Sequence, residues 1–102
     1  MRRVMHGDVV AVARVLLTCA PPVRQGLCRT LIEKADAAHR FFKRKGRAHP
    51  LWGDGSLMVL AHCYPMRPEP GFSDTDYCTC MEMVLSELVA WRTARQITRR
   101  HS

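Results

Sequence analysis

Apolar residues recur at helical spacing in four stretches of the chain, and the clearest stretch lies between Pro21 and Gly46. Its apolar positions are separated by four, four, four, three and four residues, which places them on one face of an amphipathic helix. Proline suits a first helical turn, and glycine after three basic residues is typical of a helix end. The sequence therefore predicts a long helix whose core stripe comprises Val23, Leu27, Leu31, Ala35, Ala38 and Phe42.

An earlier apolar stretch covers residues 8–19 and predicts a helix that is capped by Asp8. Five β-branched residues in this stretch leave a strand open as the alternative. The helix is favoured, because Val12, Val15 and Leu16 share one helical face while Arg14 points away from it.

A loop over residues 47–56 separates the long helix from a short third one. Its proline and glycines break regular structure, and we interpret Trp52 as an anchor between helices rather than a ligand-stacking residue. Either Asp54 or Ser56 is a candidate cap for the short helix. The apolar positions of that helix are Leu57, Met58, Leu60 and Ala61, with Tyr64 as a further candidate.

The last helix follows a proline-rich linker and is expected to open at Ser73, with Asp76 as its capping partner. Its apolar positions alternate in steps of four and three, as in a helix seam that faces a partner helix. Leu85 and Val89 widen this stripe, so we favour packing within a bundle over a self-associating seam. The candidate seam consists of Tyr77, Met81, Val84, Leu88 and Trp91.

The chain is long enough for a single helical domain over residues 1–102, whose basic end at 92–102 is expected to fray. An apolar fraction of 47% and a charged fraction of 25% are typical of a chain that buries a core. The expected fold is all-α: a compact four-helix domain with two long and two short helices.

Positive charge is concentrated in two segments of the chain. The formal net charge is +7, but residues 24–47 carry +6 and residues 92–102 carry +4, while residues 48–91 carry −5. Such segregation favours an anionic partner, either DNA or another acidic macromolecule, although solvated helix faces are an equally good reading. The candidate nucleic-acid-binding residues are Arg40, Lys43, Arg44, Lys45, Arg47, Arg92, Arg95, Arg99 and Arg100.

The remaining chemistry indicates neither an enzyme nor a bound cofactor. The histidines and cysteines follow no known catalytic arrangement, and the glycines near Asp54 lack the lysine and spacing of a phosphate-binding loop. The pairs His62-Cys63 and Cys78-x-Cys80 resemble a zinc layout, but two residues apart is a poor ligand spacing. We therefore expect Cys63, Cys78 and Cys80 to be small buried apolar residues and predict no metal site.

Location in the cytoplasm is expected from the cysteines and the amino-terminal segment. Five cysteines cannot all pair, which favours reduced thiols. Arg2 and Arg3 precede an apolar run, but Asp8 and Arg14 interrupt it, so it reads as the first helix rather than an export signal. No apolar stretch approaches the length of a membrane span, so no membrane association is expected.

Five local motifs stand out along the chain: His6-Gly7-Asp8-Val9-Val10, Val15-Leu16-Leu17, His49-Pro50-Leu51-Trp52-Gly53-Asp54-Gly55-Ser56-Leu57-Met58, Glu69-Pro70 and Asp74-Thr75-Asp76-Tyr77-Cys78. Together they resemble an uncharacterised family of short alphaproteobacterial proteins. The resemblance covers residues 3–92 and implies a cytoplasmic, single-domain helical protein with no assigned activity. Many relatives come from bacteria that carry phage-derived gene transfer agents, which makes a role in packaging an expectation.

Three functions follow as hypotheses. The leading one is a non-enzymatic binding module that uses its basic segments on DNA, as an adaptor in a DNA-handling, phage-like packaging assembly. The second is a protein–protein adaptor that forms a homo-oligomer without nucleic acid. The third is a zinc-stabilised module or a thiol protein that uses Cys78 and Cys80.

Overall fold

The computed structural model describes the backbone of residues 1–101 and the side chains of residues 1–97. Within that part of the chain there is no strand, only an isolated bridge between His49 and Gly53. The expected all-α fold with two long and two short helices is confirmed. The helices are α1 (His6–Leu16), α2 (Pro21–Lys45), α3 (Leu57–Ala61) and α4 (Thr75–His101).

The long helices α2 and α4 run in the same direction, because residues that come later in α2 contact residues that come later in α4. The cross-helix pairs are, in order, Arg24–Asp76, Arg29–Glu87 and Asp36–Arg95. Helix α1 runs the opposite way: His6 borders the same groove as Arg92, whereas Arg14 lies near Tyr77 at the start of α4. The carboxyl-terminal ends of α2 and α4 therefore lie at one end of the molecule.

Helix α1 is the central element of the core. It contacts all three other helices, and most of its side chains are buried whichever way they point. Its one long basic residue, Arg14, reaches the surface and donates from Nε to the backbone oxygen of Arg67, 2.7 Å away. Burial of each large apolar side chain stabilises the fold by about 1.5–3 kcal/mol. The largest fully buried apolar side chains are Tyr77, Leu16, Leu31, Ile32, Leu60, Val12, Val15 and Val84.

The buried face of α2 differs from the expected stripe. Val23 is 56% exposed and Phe42 is 41% exposed, and Leu27 is only partly buried. The expected Leu31, Ala35 and Ala38 are buried, but the rest of the face consists of residues one position later in the chain, namely Arg24, Cys28, Ile32 and Asp36. This rotation is possible because the two buried charges find partners on α4.

The amino terminus of α1 also differs from the expectation. Met5, not Asp8, is the N-cap residue, and Asp8 lies in the first turn, where its Oδ2 accepts from the backbone nitrogen of Met5 at 2.8 Å. The other carboxylate oxygen accepts from the backbone nitrogen of Met58 at 2.9 Å. Asp8 thus joins the first turns of α1 and α3. The helix ends at Leu16 rather than at residue 19, and a turn after Leu16 leads to Pro21.

The start of α4 lies beyond the expected residue. The helix begins at Thr75, and the carboxylate of Asp74 accepts from the backbone nitrogen of Tyr77 at 2.9 Å, so Asp74 takes the capping role expected of Ser73. Asp76 is not a capping partner, because it forms an ion pair with Arg24. The expected fraying of 92–102 stays a prediction, since side chains from 98 onward and residue 102 lie outside the described part.

Other helix ends follow the expectation. Gly46 ends α2 in the left-handed conformation, with φ of 69°, and its nitrogen donates to the oxygen of Phe42. Ser56 caps α3 by accepting from the nitrogen of Val59 at 3.3 Å.

The loop 47–56 is packed onto α2 rather than free. Trp52 lies against the core and stacks on His49 with ring centroids 4.6 Å apart, which confirms its anchoring role. Gly55 has φ of 103°, and a Cβ atom there would lie 2.5 Å from Cβ of His39. Only glycine fits this approach without rearrangement.

Candidate nucleic-acid interface

The parallel arrangement of α2 and α4 brings the cations at the end of α2 to the same end of the molecule as Arg92 and Arg95. We call this surface the basic end. On α4, Arg95 follows Arg92 by about one turn. Among described side chains the basic end comprises Arg40, Lys43, Arg44, Lys45, Arg47, Arg92 and Arg95. The side chains of Arg99 and Arg100, also expected to bind nucleic acid, lie outside the described residues.

Asp36 joins the two helices at the basic end. Its side chain is only 3% exposed, and its oxygens contact Nε of Arg40 at 3.3 Å and the α-amino group of Met1 at 3.2 Å. A third cation, the guanidinium of Arg95, donates a short hydrogen bond to Oδ2 of Asp36. A buried carboxylate requires such partners, because desolvation of an unpaired charge is costly.

Two of the expected nucleic-acid-binding residues therefore serve the fold. Arg40 and Arg95 share the charge of Asp36, and Arg95 also lies over the ring of Trp91, 4.3 Å from its centroid. Their outer surfaces remain partly exposed. Their positive charge is partly neutralised internally, so they contribute less attraction to an external anion than their number suggests.

The other cations of the basic end are exposed. Arg40, Lys43 and Arg44 line one shallow groove with Ala37, as the helical spacing of three and four residues requires. No described residue forms an ion pair with these remaining side chains, which are Lys43, Arg44, Lys45, Arg47 and Arg92.

Two neighbours of the basic end modify its chemistry. Burial, together with the nearby charge of Lys43, lowers the pKa of His39, which keeps this imidazole neutral near pH 7. Phe42 was expected in the core, but the rotation of α2 exposes its ring beside the basic residues. An exposed aromatic ring next to cations is a surface on which a nucleic-acid base can stack.

The candidate partner seam on α4 is instead part of the chain's own core. Tyr77, Val84 and Leu88 are buried, and Met81 and Trp91 pack partly buried against them. The favoured packing within the bundle is what the structure has, and the alternative seam toward another molecule is corrected, because α1 and α2 already cover this stripe. The residues that only widened the stripe, Leu85 and Val89, are the exposed ones.

Glu87 and Arg24 form the other polar links between α2 and α4. Glu87 is buried and accepts from Nε2 of Gln25 at 2.8 Å and from Nε of Arg29 at 2.9 Å. The hydrogen bond from Gln25 and the charge of Arg29 together lower the pKa of Glu87. Arg24 is buried and makes two hydrogen bonds to Asp76, at 2.7 and 3.0 Å. The bonded Arg24 guanidinium lowers the pKa of Asp76.

The cysteines lie in different environments and are free thiols. Cys80 is buried as expected, Cys78 is half-buried, and Cys63 is exposed, which corrects the expectation that all three are buried. Burial raises the pKa of Cys28 to about 12 and also raises that of Cys80. Within residues 1–97, no group of three or more histidines, cysteines or acids is placed to hold a metal ion.

The sequence analysis missed Asp36, Arg24 and Glu87 as structural residues of this surface. A signal for Asp36 was available: it is an acid between the buried Ala35 and Ala38, four residues before Arg40. The partners of Arg24 and Glu87 lie 52 to 62 residues away in the chain, so no local pattern identifies them.

Fold and surface together define a small all-α domain of four helices whose two basic segments meet at one end. Within the described helices, no segment combines the length and apolar character that crossing a membrane requires. The chain belongs to the family described as Domain of unknown function (DUF7742), whose model matches residues 2–88. This match confirms the resemblance to an uncharacterised family. No curated protein and no solved structure matches the chain at a significant level.

Proposed function

We propose that this protein is a non-enzymatic adaptor that binds the phosphate backbone of DNA through its basic end. The observation that carries the proposal is that Arg40 on α2 and Arg95 on α4 meet at Asp36, so that the cations at the carboxyl-terminal parts of the two helices lie at one end of the molecule. Lys43, Arg44 and Lys45 are exposed and have no acidic partner among the described residues. Closely spaced, solvated cations of this kind attract the charge of a nucleic-acid duplex.

The expected mode of binding is tolerant of sequence. The exposed cations extend from a helix end and a following loop, and their charges suit phosphate oxygens rather than base edges. The residues that we assign to phosphate contact are Lys43, Arg44, Lys45 and Arg47, with Arg40, Arg92 and Arg95 at the margin. We propose phosphate contact for Arg99 and Arg100 as well.

The setting that we propose is a cytoplasmic DNA-handling assembly of an alphaproteobacterium, such as a phage-like packaging complex. Five free thiols support a reducing compartment. The sequence resemblance described above supports both the alphaproteobacterial source and the role in packaging. An adaptor needs no catalytic group, and its basic end would hold DNA while another surface engages the assembly.

The test is a fluorescence anisotropy titration of a labelled DNA duplex at several salt concentrations. We expect submillimolar binding with a log–log salt slope of about −3 to −5, which corresponds to about three to six phosphate contacts. The double variant Arg44→Glu/Lys45→Glu should weaken binding to all duplex sequences equally and flatten the slope by about two.

A matched control tests whether DNA binding depends on the basic end itself or only on the net charge of the protein. Arg44→Glu and Arg67→Glu change the net charge by the same amount, but Arg67 lies near Asp76 at the opposite end of the molecule. We expect Arg44→Glu to weaken binding several-fold more than Arg67→Glu. Equal weakening by the two variants, or no binding at low salt, would refute the proposal.

A further inference from the structure

Helix α4 carries a second regular stripe, which we call the outer stripe. It lies one position beyond the buried stripe and repeats in steps of four and three residues. Its two large apolar side chains are exposed: Leu85 by 52% and Val89 by 64%. The outer stripe consists of Cys78, Glu82, Leu85, Val89, Arg92 and Gln96.

Shallow apolar grooves flank the outer stripe on both sides. One groove lies between α4 and the linker and is lined by Phe72, Met81, Leu85 and Val89, with Phe72 largely exposed. The other lies between α4 and the start of α1, where Met5 is exposed. A continuous apolar surface of this kind, bounded by charged residues, is typical of an interface.

The two charges of the outer stripe have no ion-pair partner within residues 1–97. Glu82 and Arg92 are exposed, and no described residue forms an ion pair with either. They are ten residues apart on one helix, about 15 Å, which is too far for them to pair with each other. Each therefore lies at one end of the apolar surface, and no described side chain balances its charge.

The outer stripe is complementary to itself. Along α4, Leu85 and Val89 lie equally far on either side of position 87, and so do Glu82 and Arg92. If a second helix α4 lies antiparallel across a twofold axis at that level, Leu85 faces Val89 of the second copy, and Glu82 faces Arg92 of the second copy. A parallel pair would place Glu82 beside Glu82 and Arg92 beside Arg92. Like charges in contact oppose association, so the charges select the antiparallel arrangement.

We infer that the outer stripe binds the outer stripe of a second copy of this chain, forming an antiparallel α4–α4 dimer. Leu85 and Val89 supply the apolar contact, with the exposed ring of Phe72 at its edge. Glu82 and Arg92 form two symmetry-related ion pairs that set the direction. In this dimer Arg92 belongs to the interface, and the cations of α2 at the basic end stay free for an external anion.

The first test is the association state of the full chain by sedimentation equilibrium over a wide range of protein concentrations. We expect a monomer–dimer equilibrium for the native sequence and a monomer for Leu85→Glu/Val89→Glu. Both side chains are exposed, so the variant should keep the native melting temperature. Val23→Glu on α2 is the matched control, because Val23 is equally exposed and should leave the dimer intact.

The second test is a charge exchange. Glu82→Arg and Arg92→Glu each place like charges together at two sites and should weaken the dimer by about tenfold or more. The double variant Glu82→Arg/Arg92→Glu should restore the native dissociation constant, and only the antiparallel pairing predicts both the weakening by each single variant and this rescue. A monomer at every concentration, a dimer that survives Leu85→Glu/Val89→Glu, or a charge exchange without rescue would overturn the inference. No DNA is present in these experiments, so the outcome is independent of the proposed DNA function.

Discussion

Asp36 shows how one residue determines the environment of several others. It lies on the buried face of α2, yet its carboxylate contacts Arg40, Arg95 and the amino group of Met1. A buried carboxylate is stable only where its charge and lone pairs are satisfied. The ion pairs therefore hold the end of α4 against α2, and they withdraw two arginines from the surface that would otherwise meet an external anion.

Replacement of this carboxylate gives the first prediction. Asp36→Asn should lower the free energy of unfolding by about 1.5–3 kcal/mol, because charge-assisted hydrogen bonds to the arginines are lost. Glu33→Gln is the control: Glu33 is an exposed acid on the same helix. Urea denaturation of both variants measures the difference. Equal stability of the two variants would mean that the Asp36 cluster does not brace the helices.

The thiols give a second prediction at the residue scale. Burial raises the pKa of Cys28 to about 12, so this residue stays a protonated thiol throughout the range in which proteins are handled. Because the thiolate is the nucleophile, iodoacetamide should modify the exposed Cys63 first and Cys28 only after unfolding. Mass spectrometry of peptides from native protein at pH 7 to 9 records this order. Alkylation of Cys28 at the same rate as Cys63 in native protein would contradict the burial of Cys28.

At the scale of the element, α2 shows that an apolar repeat defines a helix but not its buried face. The repeat through Val23, Leu27 and Leu31 correctly indicates a helix. The face that packs is rotated toward Cys28 and Ile32, because α1, α3 and α4 must all be accommodated. Helix α4 is a second example. Its buried stripe and its outer stripe have the same spacing of four and three residues, and only the packing of the other helices determines which stripe is buried.

The rotation of α2 predicts unequal effects of two similar substitutions. Leu31 is fully buried, so Leu31→Ala should cost about 2–5 kcal/mol of unfolding free energy. Leu27 packs only partly against the core, so Leu27→Ala should cost distinctly less. Thermal or urea unfolding of the two variants gives the comparison. Similar losses of unfolding free energy at both positions would mean that Leu27 belongs to the buried face, as the apolar repeat predicts.

At the scale of the whole molecule, the parallel course of α2 and α4 determines which surfaces exist. Ion pairs and hydrogen bonds link the two helices near their starts, in their middle and at the basic end. The same arrangement joins the two basic segments and leaves the outer stripe of α4 uncovered. The proposed DNA contact thus rests mainly on cations of α2 and the proposed dimer contact on α4, and Arg92 is assigned to both.

The links between these helices predict a contribution to stability that depends on pH. The hydrogen bond from Gln25 and the charge of Arg29 lower the folded-state pKa of Glu87. A lowered pKa stabilises the fold fully above the ordinary glutamate value of about 4.3, and this contribution is lost as pH falls through the folded-state pKa. Glu87→Gln should therefore lower stability at pH 7, and the gap to the native protein should close in acid.

Urea unfolding from pH 7 to pH 3 measures that gap. Glu33→Gln again serves as the exposed control and should show no comparable change with pH. A constant gap between the native protein and Glu87→Gln across the range would show that the charge of Glu87 does not link α2 to α4.

The sequence alone predicted the four helices, a cap for α3 at either Asp54 or Ser56, the left-handed Gly46 and the anchoring of Trp52, because each depends on residues a few positions apart. It also located the basic residues, since charge is a property of composition. The rotated face of α2, the exposure of Phe42 and the internal pairing of Arg95 were decided by tertiary structure. Their partners lie tens of residues away, and only the folded chain determines which side chains meet, which charges are neutralised and which apolar stripe stays exposed.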